Sequence, residues 1–145
     1  MNKTIAMKWV KALRSGKYEQ GVGYLCQFTG KGKKHCCLGV LTDMYQAEQK
    51  AKKKKVIPTK VSDVYINDST ATSGLKLLEV VKYGGGEYAA EGLPLAVRRW
   101  AGIEGRLGEF DVMNKGHYKS LSHMNDEGNS FKKIANFIEK NYENL

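Results

Sequence analysis

Apolar residues recur at helical spacing in three stretches of the chain. Ile5, Trp9, Val10 and Leu13 form one stripe, which predicts a first helix running to about Ser15. Asn2 or Thr4 can cap its start, and Gly16 suits the position just past its end. Cys37, Leu38, Val40, Leu41 and Met44 open a second, buried helix that runs into Gln49. Gly39 inside it costs about 1 kcal/mol of helix propensity, so its presence predicts a close approach by a neighbour. Phe131, Ile134, Ala135 and Ile138 mark the last helix, capped by Ser130 and reaching about Asn144.

Between these helices the pattern shortens. Residues 24–29 read as a strand, 30–33 as a turn and 34–37 as the returning arm of a hairpin. Residues 17–23 read as a loop, because Gly21 and Gly23 break any period. Leu93 and Pro94 open a short helix with Leu95, Val97 and Trp100 on its apolar side, and Gly102 closes it. A further helical turn is expected at 119–124, after a loop or short strand at 110–118. Residues 50–75 carry a lysine run, Pro58 and a polar string, and read as an excursion; Val61, Val64, Tyr65 and Ile66 can hold a short element within it. Residues 75–83 fit strand or helix, and Gly84–Gly86 ends them as a turn from which 87–90 can return. The expected architecture is α+β, about three main helices packed on a small antiparallel sheet. It forms one domain, 1–145, with an insertion or long excursion at 45–92.

The 145 residues are enough for a sizeable core, and 41% hydrophobic residues suit a globular chain rather than a disordered one. No apolar run reaches the roughly 20 residues of a membrane-spanning helix, and Lys8 and Lys11 interrupt any leader-like segment near the start. These features predict a cytoplasmic protein with no membrane partner. Three cysteines, an odd number, fit free thiols. The net charge of +9 is unevenly placed: residues 1–72 hold 14 basic and 5 acidic residues, and 73–145 hold 10 of each. A basic surface of this kind attracts phosphates of nucleotides or nucleic acid, and the same lysines equally fit a solvated face.

Candidate chemistry follows from that charge. Arg14, Lys17, Tyr18 and Gln20 leave the first helix, and Lys31, Lys33 and Lys34 sit on the hairpin tip. Arginine supplies a planar fork for an anion and tyrosine a stacking face. Asn125 and Asp126 lie in a turn ahead of the last helix, where they either cap that turn or face a phosphate or ribose. Arg98 and Arg99 beside Trp100 are further candidates or outward-facing charges. Cys36 and Cys37 stand at a predicted helix start, where the dipole lowers a thiol pKa; with His117, His123 and Asn125 downstream they offer a nucleophile, a base and an orienting group. The same cysteines equally suit small core positions. Adjacent His35, Cys36 and Cys37 lack a second ligand pair at zinc spacing, so no metal or other cofactor is expected. Gly84–Gly86 lacks the strand-to-helix context of a nucleotide loop.

Four motifs together carry a resemblance: ALRSGKYEQG at 12–21, HCCLGVL at 35–41, LP followed by Trp100 from 93, and MNDEGNSF followed by Ile134 and Ala135 from 124. In this order the chain resembles a family of small accessory proteins of tailed bacteriophages. The resemblance implies an intracellular product made in the host bacterium and, for accessory genes of that kind, antagonism of host defence. The leading expectation is therefore a non-enzymatic protein that binds or sequesters a phosphorylated, nucleotide-type ligand. Its pocket would lie between the Asn125–Asp126 bend and the cationic surface around Arg14 and the lysines. The alternatives are a binder of nucleic acid or of a host defence protein, and a cysteine-dependent hydrolase. A homo-oligomer is compatible with each.

Overall fold

A computed structural model describes residues 1–30, 32–66, 76–84, 90–110 and 119–145, with backbone alone at 65–66 and 76–78. Three longer helices carry the core: α1 (Lys3–Arg14), α2 (Cys37–Ala51) and α5 (Phe131–Asn141). The strands are β1 (Glu19–Gln20), β2 (Cys26–Thr29), β3 (Gly32–His35), β4 (Thr59–Ile66) and β5 (Lys76–Tyr83). Two short helices, α3 (Leu95–Ala101) and α4 (Leu121–Asp126), complete the α+β architecture.

Local signals account for the helix ends. The Asn2 side chain accepts from the Ile5 amide, and Gly16 takes the left-handed φ of 71° that an L side chain resists. Ser130 accepts from the Lys133 amide at 3.4 Å and starts α5. Trp9, Val10 and Leu13 on α1 and Phe131, Ile134, Ala135 and Ile138 on α5 are all buried, so the two amphipathic faces meet in one core. Trp9 is fully covered and donates its indole N–H to the Cys37 carbonyl at 3.0 Å, tying α1 to the first turn of α2. Gly39 lets α2 lie against the chain entering β2: a Cβ there would fall 1.6 Å from the Leu25 carbonyl oxygen.

The sheet order is β1-β3-β2-β5-β4. β2 pairs antiparallel with β3 and with β5, and β5 pairs antiparallel with β4 from Thr59↔Tyr83 to Ile66↔Lys76. β1 joins β3 in parallel, Glu19↔Lys34 and Gln20↔His35, so the sheet is mixed. The helices cover the face that carries Cys26, Val81 and Tyr83.

Two segments differ from expectation. Within the loop expected at 17–23, Glu19 and Gln20 form β1, because their partners in β3 lie fifteen positions away and leave no local period. Residues 76–83 are a strand whose neighbours Val80 and Val81 are both buried, so both faces are covered and the two-residue alternation that marks a strand is lost. The expected return at 87–90, the polar string at 67–74 and the segment 111–118 lie wholly or mostly outside the described residues. No described helix is long and apolar enough to cross a membrane.

Candidate functional site

Asn125 and Asp126, expected in a turn, are instead the last two residues of α4, and among the described residues the candidates separate into three groups rather than enclosing one pocket with Arg14. Asn125 is wholly buried and each of its polar atoms has a partner. Its Oδ1 accepts from the Cys37 amide and from Gln20 Nε2, each at 3.1 Å; its Nδ2 donates to the Gly21 carbonyl at 2.8 Å and to Asp126 Oδ1 at 3.2 Å. Gln20 also donates to the Asn129 carbonyl at 2.8 Å and accepts from the Phe131 amide at 2.9 Å, which satisfies a free donor at the start of α5. Asp126 accepts from the Gly23 amide at 3.0 Å. These three side chains lock β1 and the following loop to the starts of α2 and α5, and Gln20 and Asn125 offer nothing to a ligand in this arrangement.

Arg14 stands elsewhere. It forks onto Glu139 at 2.6 and 3.2 Å and reaches Asn136 at 2.6 Å, both on α5. Glu139 is eight residues beyond Phe131, about 12 Å along the helix axis. The open cleft beside Arg14 is lined by Met7, Val10, Lys11, Ser15 and Glu139, and by neither Asn125 nor Asp126.

The thiols are equally committed. Cys36 caps α2, its Sγ accepting from the Gly39 amide at 3.4 Å, and Cys37 donates to the Leu121 carbonyl at 3.4 Å. Burial pushes the Cys36 pKa up to about 12, and that of Cys37 well above the ordinary thiol value. The pull of the helix start is therefore weaker than desolvation, and both sulfurs stay protonated. His123 lies within 3.6 Å of Glu127 one turn along α4. His117 lies outside the described residues. Among the described residues no group of three His, Cys, Asp or Glu side chains is placed to hold a metal ion.

What remains of the phosphate hypothesis is a face on the β2–β3 hairpin that sequence reading only partly assembled. Lys33 lies directly across from Phe28, with its Nζ 5.1 Å from the ring centroid. His35, two residues along the same strand and on the same side, meets Tyr18 edge-on at 5.3 Å. Lys17 Nζ lies 5.6 Å from the Tyr18 ring. Two cations and three rings thus alternate over one surface, while Lys34 points to the other face and pairs with Glu19 at 2.8 Å. Lys31 lies outside the described residues. Tyr18 donates to Asp43 Oδ2 at 2.7 Å, and burial, then this bond, holds its phenol protonated far above the usual range. His35 is only 7% exposed, and its Nδ1 is buried with no hydrogen-bond partner among the described residues. Burial lowers its pKa, with Lys33 adding to the effect and Asp43 opposing it, so the ring is neutral at pH 7.

Phe28 and Asp43 were not singled out from sequence, and His35 was weighed only as a metal ligand beside Cys36 and Cys37. The hairpin register would have placed Phe28 opposite Lys33 and Cys26 opposite His35, but that register depends on a turn whose length the residues alone leave open. A family model, a domain of unknown function (DUF8296), matches residues 1–142. The chain belongs to that family. Its match runs through 45–92, the segment read as an excursion. No curated protein and no solved structure matches the chain.

Proposed function

We propose that this member of the DUF8296 family is a non-enzymatic binding protein for a phosphorylated, nucleotide-type ligand, acting in the bacterial cytoplasm as a phage accessory protein against host defence. The observation that carries the reading is the cation–aromatic face of Lys17, Tyr18, His35, Lys33 and Phe28. Rings offer a base a stacking surface and lysines offer phosphates a counter-charge, and a buried histidine nitrogen without a partner is a donor or acceptor left for a ligand or water. The concentration of positive charge in residues 1–72 supports the same assignment. Binding without turnover is supported by the protonated, buried state of Cys36 and Cys37. The phage and anti-defence assignments rest on the sequence motifs at 12–21, 35–41, 93–100 and 124–131.

The test is a thermal-shift and NMR titration with cyclic mono- and dinucleotides. A ligand of this site raises the melting temperature and moves the His35 and Lys33 resonances, and Lys33→Ala weakens it while Arg14→Ala does not. A melting temperature unmoved by every nucleotide tried would overturn the proposal. A shift produced by any single-stranded RNA or DNA, falling steeply with salt, would favour nucleic-acid binding at the same face.

A further inference from the structure

A cleft of about 420 Å³ opens between the start of α3 and the chain around Ile57 and Pro58, and none of the hairpin-face residues lines it. Its volume lies in the range of small-molecule sites. The walls are apolar: Ile57, Pro58, Leu93, Pro94 and Leu95, the last 51% exposed. Two guanidinium groups, Arg98 and Arg106, are the cationic part of the lining.

Arg98 is anchored at one end of its guanidinium. Its Nη1 donates to the Glu104 carbonyl at 2.6 Å, which fixes the plane of the group. The Nε is buried and has no hydrogen-bond partner among the described residues. A guanidinium anchored through Nη1 presents its Nε–Nη2 edge, two parallel N–H donors spaced for the two oxygens of a carboxylate. A buried charged donor left unpaired is costly, so an arrangement that retains one is explained by a group that fills it. Arg106 is laid across Gly92: a Cβ at that position would come within 2.6 Å of its Nε and 3.0 Å of its Cγ. The Leu93 amide bonds the Arg106 carbonyl at 2.8 Å, which fixes that backbone against the cleft. Glycine at 92 thus admits the second cation to a cleft otherwise made of hydrocarbon.

We infer that this cleft binds a small amphiphilic carboxylate, its two oxygens on the Nε–Nη2 edge of Arg98 and its apolar body along Leu93, Pro94 and Leu95. The apolar walls disfavour a bare inorganic anion, and the charged fork disfavours a neutral hydrocarbon. This site is separate from the hairpin face and stands whether or not that face binds nucleotides.

The probes are octanoate and phenylacetate, with 1-octanol and inorganic phosphate as the neutral and apolar-free counterparts, each titrated into the full chain by calorimetry and NMR. At least one carboxylate binds and moves the Leu93, Leu95 and Arg98 signals, while octanol and phosphate do not. Arg98→Lys keeps the charge and removes the fork, and weakens the carboxylate at least about tenfold, the loss expected for a charged two-point hydrogen bond. Gly92→Ala displaces Arg106 and weakens it as well; it serves if Arg98→Lys fails to fold, each variant being checked by circular dichroism. Absence of binding by both carboxylates, equal binding by octanol, displacement by phosphate, or affinity unchanged in folded Arg98→Lys would each overturn the inference.

Discussion

Asn125 joins four partners inside the protein, and its removal strands several of them at once. Asn125→Leu leaves the Cys37 amide and the Gly21 carbonyl buried without their partner. Such groups cost about 1–3 kcal/mol each, so a loss of about 3 kcal/mol or more in urea unfolding is expected. A variant as stable as the parent would show that water replaces the side chain. Gly39→Ala is expected to cost about 3 kcal/mol, the upper end for overpacking, since the added methyl meets main chain at Leu25 rather than a side chain that can turn away. His35 sets a pH dependence. Its folded pKa lies below the ordinary 6.5, so the unfolded chain takes up the proton first as pH falls. The histidine contribution is absent above pH 7 and grows destabilising below about 6.5, beside Asp43, Lys33 and Cys26 as the neighbouring titratable groups. Urea midpoints at pH 7.5 and 5.5 should differ less in His35→Gln than in the parent. The caps Asn2 and Ser130 were legible in the sequence because the amides they accept from lie three residues on, and Gly39 because a glycine inside a helix stands out against its propensity, although the Leu25 main chain that requires it is fourteen positions away. The roles of Asn125 and Gln20 were not, since the polar atoms that satisfy them come from residues up to 111 positions away.

At the scale of elements, the long amphipathic helices were the clearest part of the chain to read. The stripes of α1 and α5 face a common core, and a period of 3.6 survives wherever one side of a helix stays wet. The strands were harder. β1 is two residues long and depends on a parallel partner, and β5 is covered on both faces near Val80 and Val81, so neither displays alternation. The start of α2 shows where an element-level rule yields to its surroundings. A helix start favours a thiolate, but here Cys36 and Cys37 are sealed beneath α1 and α4 and burial outweighs the dipole. An aromatic disulfide reagent at pH 8 is therefore expected to label neither thiol in the native protein except at the rate of opening. Rapid, stoichiometric labelling without unfolding would contradict this assignment and return Cys36 to consideration as a nucleophile.

The whole molecule separates its polar work by location. Under the two proposals made above, charge on the hairpin face meets phosphates and the apolar cleft with Arg98 a carboxylate, while the amides of Gln20 and Asn125 close the interior. From sequence, the excess of positive charge in one half was plain, whereas its assembly over Tyr18 and Phe28 awaited strand register. The internal closure has a consequence for motion. Gln20, Cys37, Asn125 and Phe131 come from four separate stretches, yet a single cluster of bonds holds their main chain. Opening any one stretch breaks contacts of the others, so the amides of Cys37 and Phe131, 94 positions apart in the chain, should exchange with deuterium at matched free energy, as one cooperative unit. In Asn125→Leu that synchrony is expected to vanish, leaving Cys37, whose amide has lost its acceptor, to exchange ahead of Phe131, which keeps its bond to Gln20.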